Sequence, residues 1–144
     1  MIGKPLCLVA HTDGGSRGNP GPGAAAYVLR DAEDGTVLAQ EGIYLGKTTN
    51  NVAEYRGLVG ALESAVKLGA QEVTVLSDSE LLVHQMNGQY RVRNAGLVPL
   101  YEQAKRLAGR LERCVFQHVR REANDEADRL ANRAMDLRRN VQEP

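Results

Sequence analysis

The sequence has few of the residues that define a disulfide-bonded, zinc-binding or membrane-spanning protein. Its 144 residues include two cysteines, Cys7 and Cys114, which lie far apart along the chain. This number and spacing exclude both a disulfide framework and a cysteine-based metal site as the organising feature. The apolar runs are far shorter than the roughly 18 residues that span a bilayer, and no basic stretch followed by an apolar run opens the chain. We therefore predict a soluble, cytoplasmic protein that makes no contact with a membrane.

Tryptophan is absent, and the formal net charge is zero. A neutral total argues against a protein that binds nucleic acid mainly through bulk charge. The charges are nevertheless unevenly distributed along the chain, since residues 1–87 carry a net charge of −4 and residues 88–144 carry +4. Arginine outnumbers lysine by 14 to 4, and its guanidinium is well suited to phosphate. The composition is therefore compatible with a protein that binds phosphate at a local site.

The hydrophobic pattern predicts nine elements in the order β-β-β-α-β-α-α-β-α. Predicted strands cover residues 4–12, 24–30, 37–45, 72–77 and 114–119, and predicted helices cover residues 51–68, 79–86, 97–111 and 124–135. We predict a glycine- and proline-rich loop at residues 14–23, and Asn124 is predicted to cap the last helix. The expected fold is α/β: a five-stranded mixed sheet, three strands antiparallel and two parallel, with helices on both faces. Residues 1–137 form one domain, and residues 138–144 are predicted to be a loose tail.

Four carboxylates occupy positions that need an explanation. Asp13 and Asp78 follow the first and fourth predicted strands, so parallel pairing would bring them to one edge of the sheet. Glu54 borders the apolar stripe of the first helix, and Asp128 lies in the first turn of the last helix. Taken singly, each acid has an ordinary explanation as a turn former or as a partner of a helix N-terminus.

The convergence of these four acids favours a metal site over those separate explanations. Carboxylates brought together without a neighbouring cation repel one another and raise each other's pKa. A cluster of oxygen ligands without histidine or cysteine suits Mg²⁺ or Mn²⁺ rather than zinc. Two such ions about 3.5–4 Å apart promote in-line phosphodiester cleavage. The residues alone therefore predict metal-dependent phosphoryl chemistry.

Three other motifs have competing interpretations. The segment Gly21–Ala26 matches a loose dinucleotide-binding pattern, but a strand follows it where that pattern requires a helix. Asn50 or Asn51 is predicted to cap the first helix, and the same short amides could reach sugars or bases. Arg120 and Arg121 are either a solvated pair of charges or, since they lie a few residues before Asp128, contacts to a substrate phosphate.

Together these segments resemble type 1 ribonuclease H over residues 6–135. The matching motifs are Thr12–Gly15 with Gly18–Gly23, Thr49–Asn51 with Glu54, Ser77–Ser79, and Asn124 placed four residues before Asp128. The resemblance implies hydrolysis of the RNA strand of RNA–DNA hybrids by a monomer that uses two Mg²⁺ ions, with Mn²⁺ as a substitute. The implied products carry 5′-phosphate and 3′-hydroxyl ends.

The resemblance also implies a role for each matching residue. Asp13 would bridge both ions, Asp128 would bind the ion that activates water, and Glu54 with Asp78 would bind the ion near the leaving oxygen. Arg121 joins these acids as a predicted catalytic residue. The predicted substrate contacts are Gly14, Gly15, Asn19, Thr49, Asn50, Asn51 and Ser79.

The chain also departs from the longer members that it resembles. Residues 88–97 lead directly into the next helix without the basic, tryptophan-containing handle of those members, so the resemblance is to the handle-less archaeal and actinobacterial form. The segment Arg121–Asn124 fits that form, in which it replaces a loop that bears histidine. Two alternatives remain: a related nuclease or transposase-like protein that acts on DNA, and a hybrid-binding protein without catalysis.

Overall fold

The computed structural model describes residues 4–142, and within this range the nine elements follow the predicted order. The strands are β1 (Cys7–Ser16), β2 (Gly21–Asp31), β3 (Val37–Thr48), β4 (Glu72–Ser77) and β5 (Arg113–His118). The helices are α1 (Asn50–Lys67), α2 (Glu80–Met86), α3 (Val98–Ala108) and α4 (Asp125–Leu137). A short 3-10 helix, Arg121–Asn124, precedes α4. Within residues 4–142, every helix is too short or too polar to cross a bilayer.

The strands form one sheet in the order β3-β2-β1-β4-β5. β1 pairs antiparallel with β2, and β2 pairs antiparallel with β3. β4 lies parallel to β1, and β5 lies parallel to β4. The predicted α/β fold with a five-stranded mixed sheet is confirmed.

Helices cover both faces of this sheet, as predicted. One face packs against α1, α2 and α3 through a core of larger side chains that includes Leu8, Leu58 and Leu82. The other face packs small residues of β2 against a row of alanines on α4. On this second face a Cβ added to Gly42 of β3 would lie 2.5 Å from the backbone oxygen of Leu130, so α4 lies directly on the sheet.

The loop predicted at residues 14–23 is wrong at both ends. Gly14, Gly15 and Ser16 continue β1 by pairing with Ala25, Ala24 and Gly23 of β2. The connection therefore shrinks to residues 17–20, where Gly18 takes a positive φ of 94°. Glycine is unfavourable inside a strand unless another backbone must come close, and α1 makes such an approach here. Asp13 consequently lies inside β1 rather than at its end.

The segment after α4 also differs from the prediction of a loose tail, as far as residue 142. Arg138 ends α4 in the left-handed conformation. Val141 then pairs with Gly42 through two backbone hydrogen bonds of 2.7 and 2.8 Å, and its side chain is buried against the core under α4. An apolar side chain and a free strand edge together hold this segment on β3. Residues 143 and 144 lie outside the described residues.

Candidate active site

The register of β1 and β4 brings two carboxylates side by side. Thr12 pairs with Ser77 in the parallel ladder, and Asp13 and Asp78 are the residues that follow this pair in the chain. β4 ends at Ser77 while β1 continues, so Asp78 leaves the sheet beside a strand that still holds Asp13. Asp13 is 7% exposed, which is unusual for a carboxylate.

Glu54 joins them because β1 and α1 are in backbone contact. A Cβ added to Gly14 would lie 2.5 Å from the backbone nitrogen of Glu54 and closer still to the carbonyl of Ala53. Only glycine at position 14 leaves room for this approach. One carboxylate oxygen each from Asp13, Glu54 and Asp78 then lies within 4.8 Å of the others. We call these three residues the acid triad.

Asp128 lines the same cavity as the acid triad, although it is not one of those three residues. Its helix is fixed by Asn124, whose side-chain amide donates a 2.8 Å hydrogen bond to the backbone oxygen of Thr12. Asn124 is buried and makes no side-chain capping bond to α4, so its predicted capping role is wrong. It instead ties the start of α4 to β1, next to Asp13.

Burial and mutual repulsion raise the pKa values in the acid triad. Burial first, and then the charge of Asp78, raise the pKa of Asp13 to about 7. Burial, followed by the charge of Asp13, raises the pKa of Glu54 well above its ordinary value. Burial also raises the pKa of Asp78, and Arg121 opposes that shift. The positive charge of the described neighbours is therefore too small to offset the burial and mutual repulsion that raise these pKa values.

A hard divalent cation fits this arrangement of ligands. The donors are all carboxylate oxygens, which Mg²⁺ and Mn²⁺ prefer. Glu54 Oε2 is buried and has no hydrogen-bond partner among residues 4–142, so it is free to bind a cation. Positive charge placed between these acids would relieve the repulsion that raises their pKa values.

The acid triad and Asp128 line one open cavity of about 430 Å³. Most of the other predicted site residues also lie there, namely Gly14, Gly15, Asn50, Asn51, Ser79 and Arg121. Arg121 is largely exposed, and its Nε lies 3.8 Å from Asp78 Oδ2. Ser79 also caps α2 by accepting a 3.2 Å hydrogen bond from the backbone of Leu82.

Thr49 and Asn19 do not line this cavity. Their hydrogen bonds instead hold the start of α1, which forms part of its rim. Thr49 caps α1 by accepting a 3.3 Å hydrogen bond from the backbone of Val52, so the predicted caps Asn50 and Asn51 are wrong. The backbone of Asn50 donates to Asn19 Oδ1 at 3.0 Å. Asn50 Oδ1 accepts from the backbone of Ser16 at 2.8 Å. These bonds fasten the β1–β2 turn to the start of α1.

Sequence reasoning missed three polar residues that line the cavity: Ser16, Arg17 and Asn132. Asn132 follows Asp128 by four residues, a spacing that places both on one face of a helix. Its side-chain amide donates a 3.0 Å hydrogen bond to the backbone oxygen of Asp128. Helical spacing could have identified Asn132. Ser16 and Arg17 were not recognised as cavity residues because they fell within the segment predicted to be a loop.

The pKa of Asp13 predicts how stability depends on pH in the metal-free protein. Its folded pKa of about 7 exceeds the ordinary value of 3.8, so the folded state retains a proton that the unfolded state loses. The contribution of this bound proton to the free energy of unfolding is therefore complete below about pH 4. It is lost as pH rises through about 7. We expect urea unfolding in a chelator to reveal this decline, and Mg²⁺ to reverse it. Identical pH profiles for the wild type and Asp13→Asn would contradict this assignment.

Comparison with known proteins identifies domains that share the sequence pattern and the fold of this chain. Residues 11–134 match the family model described as Reverse transcriptase-like. A bifunctional protein of Mycobacterium tuberculosis, Rv2228c, is 51% identical over 129 residues, which are 90% of this chain and 35% of that protein. The chain thus spans about a third of the length of this relative. The solved N-terminal RNase H domain of Rv2228c is 50% identical with a TM-score of 0.89, covering 92% of this chain and 95% of that one.

Two further solved structures have the same fold over nearly their whole length. RNase H1 of the archaeon Halobacterium salinarum is 37% identical with a TM-score of 0.87, covering 91% of this chain and 98% of that one. LC11-RNase H1, solved in complex with an RNA/DNA hybrid, is 41% identical with a TM-score of 0.85, covering 90% and 97%. The fold and the acidic cavity define a ribonuclease H-like domain. The chain belongs to the type 1 ribonuclease H family.

Proposed function

We propose that this chain is an endonuclease that hydrolyses the RNA strand of RNA–DNA hybrids. The observation that carries the proposal is the acid triad, which shares one open cavity with Asp128. Family membership and the hybrid bound to LC11-RNase H1 support the choice of substrate. The cavity is open rather than enclosed, as a polymer that continues past the site requires.

We infer that two Mg²⁺ ions are the cofactors and that Mn²⁺ can replace them. Asp13 would bind both ions, Glu54 and Asp78 one of them, and Asp128 the other. When bound, such ions polarise the scissile phosphate and lower the pKa of the attacking water. Attack by water on the phosphorus, with cleavage of the bond to the 3′-oxygen and departure of that oxygen, would leave 5′-phosphate and 3′-hydroxyl ends.

The remaining cavity residues would position the hybrid. Gly14 and Gly15 present backbone without side chains, and Asn50 and Asn51 present short amides at the same rim. Discrimination of RNA from DNA depends on contacts to the 2′-hydroxyl, which groups of this kind can make. Arg121 carries a charge at any working pH, so it would attract a phosphate without shuttling protons.

The alternative of a hybrid-binding protein without catalysis is disfavoured because all four acids are retained around one cavity. Action on DNA remains the second alternative, and the substrate test below separates it. The monomeric state and the cytoplasmic location stay predictions.

Three duplexes of one sequence test the proposed substrate: RNA–DNA, DNA–DNA and RNA–RNA, each labelled and incubated with Mg²⁺. We expect only the RNA–DNA hybrid to be cut at a substantial rate. Faster cleavage of the DNA duplex would favour the alternative of a DNA nuclease. Tight binding of the hybrid without any cleavage would favour the non-catalytic alternative.

Removal of the Arg121 charge should slow turnover without stopping it. We expect Arg121→Ala to reduce kcat by roughly ten- to a hundredfold, the scale of one charge-assisted contact of about 1.5–3 kcal/mol. The residue is 85% exposed at its side chain, so the substitution should leave the unfolding temperature unchanged. Steady-state cleavage of the labelled hybrid measures the effect.

Histidine variants provide the matched control for this result. His118 ends β5, lies 3.9 Å from Glu80 and is not among the residues that line the cavity. We expect His118→Ala to retain most of the rate, as should His11→Ala and His84→Ala. Damage from His118→Ala equal to that from Arg121→Ala would indicate a histidine proton carrier and contradict the role given to Arg121.

A further inference from the structure

A second arginine lines the acidic cavity on the side formed by the β1–β2 turn. Among the described residues around that cavity, Arg17 and Arg121 carry the positive charge. Arg121 approaches the acid triad through Asp78. Arg17 instead forms an ion pair with Asp136, with 2.6 Å between Arg17 Nη2 and Asp136 Oδ1. The proposed reaction assigns no role to this pair.

The backbone of Arg17 is firmly held. Its N–H donates a 2.8 Å hydrogen bond to the oxygen of Pro22 across the turn. The preceding residue, Ser16, donates to Asn50 Oδ1, and Asn19 accepts from the backbone of Asn50. The turn is therefore fixed to the start of α1 on both sides of Arg17. The long side chain of Arg17 therefore extends from a fixed backbone position at the rim of the cavity.

The guanidinium itself is weakly held. The side chains of Arg17 and Asp136 are 51% and 64% exposed, and an ion pair in such contact with water contributes little to stability. Asp136 lies in the last turn of α4 and lines a neighbouring cavity rather than the acidic one. A phosphate offers the guanidinium two oxygens in the forked geometry that arginine binds best. A phosphate at the rim can therefore replace Asp136.

We propose that Arg17 binds a backbone phosphate of the nucleic-acid substrate and that Asp136 competes for the same guanidinium. This inference rests on the proposed function, because it requires a polyanion to cross the acidic cavity. The β1–β2 turn would then hold the strand through Arg17, while Arg121 would contact the strand beside Asp78. Asp136 weakens that contact of Arg17 by binding its guanidinium in the free protein.

Opposite effects of two substitutions test the proposal. In steady-state cleavage of a labelled RNA–DNA hybrid, we expect Arg17→Ala to raise KM about five- to tenfold, the effect of losing one exposed charge-assisted contact. We expect Asp136→Asn to lower KM about two- to fivefold, the scale of releasing an exposed ion pair. Both variants should keep kcat within about twofold of the wild type, because neither removes a member of the acid triad.

The double variant Arg17→Ala with Asp136→Asn determines whether Asp136 acts through Arg17. We expect its KM to equal that of Arg17→Ala alone, since the benefit of removing Asp136 requires the freed guanidinium. Arg17→Ala should also make the slope of log affinity against log salt shallower by about one, as measured by anisotropy of the labelled hybrid. Lys4→Ala and Glu33→Gln are matched controls, because they disrupt an exposed ion pair of 3.1 Å at a different cavity. Both controls should leave KM unchanged.

A purely structural ion pair would give a different pattern. Arg17→Ala and Asp136→Asn would then change KM in the same direction and lower the unfolding temperature alike, which would overturn the proposal. An unchanged KM in Arg17→Ala, with wild-type cleavage of the hybrid intact, would overturn it while leaving the proposed function standing. Failure of the wild type to cleave the hybrid would overturn the proposed function and this inference with it.

Discussion

Asp13→Asn should abolish nearly all hydrolysis while the fold remains intact. Asp13 is the carboxylate at the centre of the site, beside Asp78 at the end of β4, and one of its oxygens lies within 4.8 Å of an oxygen of Glu54. An amide in its place keeps the shape and loses the charge that holds a cation. Because an electrostatic element of this kind typically contributes about 10²–10³ in rate, we expect turnover below about a hundredth of the wild-type value, measured with the labelled hybrid and Mg²⁺.

The same substitution should not destabilise the protein. Asp13 is buried, and its pKa of about 7 reflects a charge that the fold tolerates poorly. We expect the free energy of unfolding at pH 8 in a chelator to equal or exceed that of the wild type. Asp125→Asn is the matched control, since Asp125 is exposed and paired with Arg129 on α4. That variant should retain full activity. Turnover of Asp13→Asn above a hundredth would contradict the bridging role.

Gly14→Ala should be strongly damaging although it removes no functional group. The added methyl group would meet the backbone of Ala53 and Glu54, and backbone in a helix does not move aside as a flexible side chain does. Overpacking of this kind costs about 1–3 kcal/mol or more. If α1 moves away from β1 by even 1 Å, misplacement of Glu54 relative to Asp13 could cost about a hundredfold in rate. We expect both losses, by urea unfolding and by hybrid cleavage.

The neighbouring glycine provides the control for Gly14→Ala. A Cβ at Gly15 would meet its nearest atom, Asn50 Oδ1, at 3.8 Å, which is an ordinary van der Waals distance. Gly15→Ala should therefore change the free energy of unfolding by less than about 0.5 kcal/mol. Equal destabilisation by the two variants would mean that glycine is needed here for strand conformation rather than for the approach of α1.

The sequence was sufficient to predict the element order and the sheet because each element has a clear hydrophobic period. α1 buries Leu58 and Leu62 at helical spacing, and β4 alternates buried and partly buried residues between two parallel neighbours. The convergence of Asp13 and Asp78 followed from the rule that parallel strands end at one edge. The two acids converge even though β1 continues past the end of β4, because the register of the two strands pairs Thr12 with Ser77.

Three of the errors share one physical cause, which is contact between distant parts of the chain. Gly14 and Gly15 were predicted to form a loop from local propensity, although both lie in β1 and the close approach of α1 favours glycine at position 14. Asn124 was predicted to cap α4, although its amide reaches Thr12, 112 residues away. Val141 was placed in a loose tail because one apolar residue carries no periodicity, yet it completes the edge of β3. Local patterns contain no information about such partners.

The most direct test of the central claim is strand-resolved cleavage of one RNA–DNA hybrid labelled on both strands, with Mg²⁺ and with a chelator. We expect cuts in the RNA strand only, in the presence of Mg²⁺ only, with 5′-phosphate and 3′-hydroxyl ends on the products. Cleavage that persists in the chelator, cuts in the DNA strand, or 2′,3′-cyclic phosphate ends would contradict metal-dependent hydrolysis by water at the acid triad.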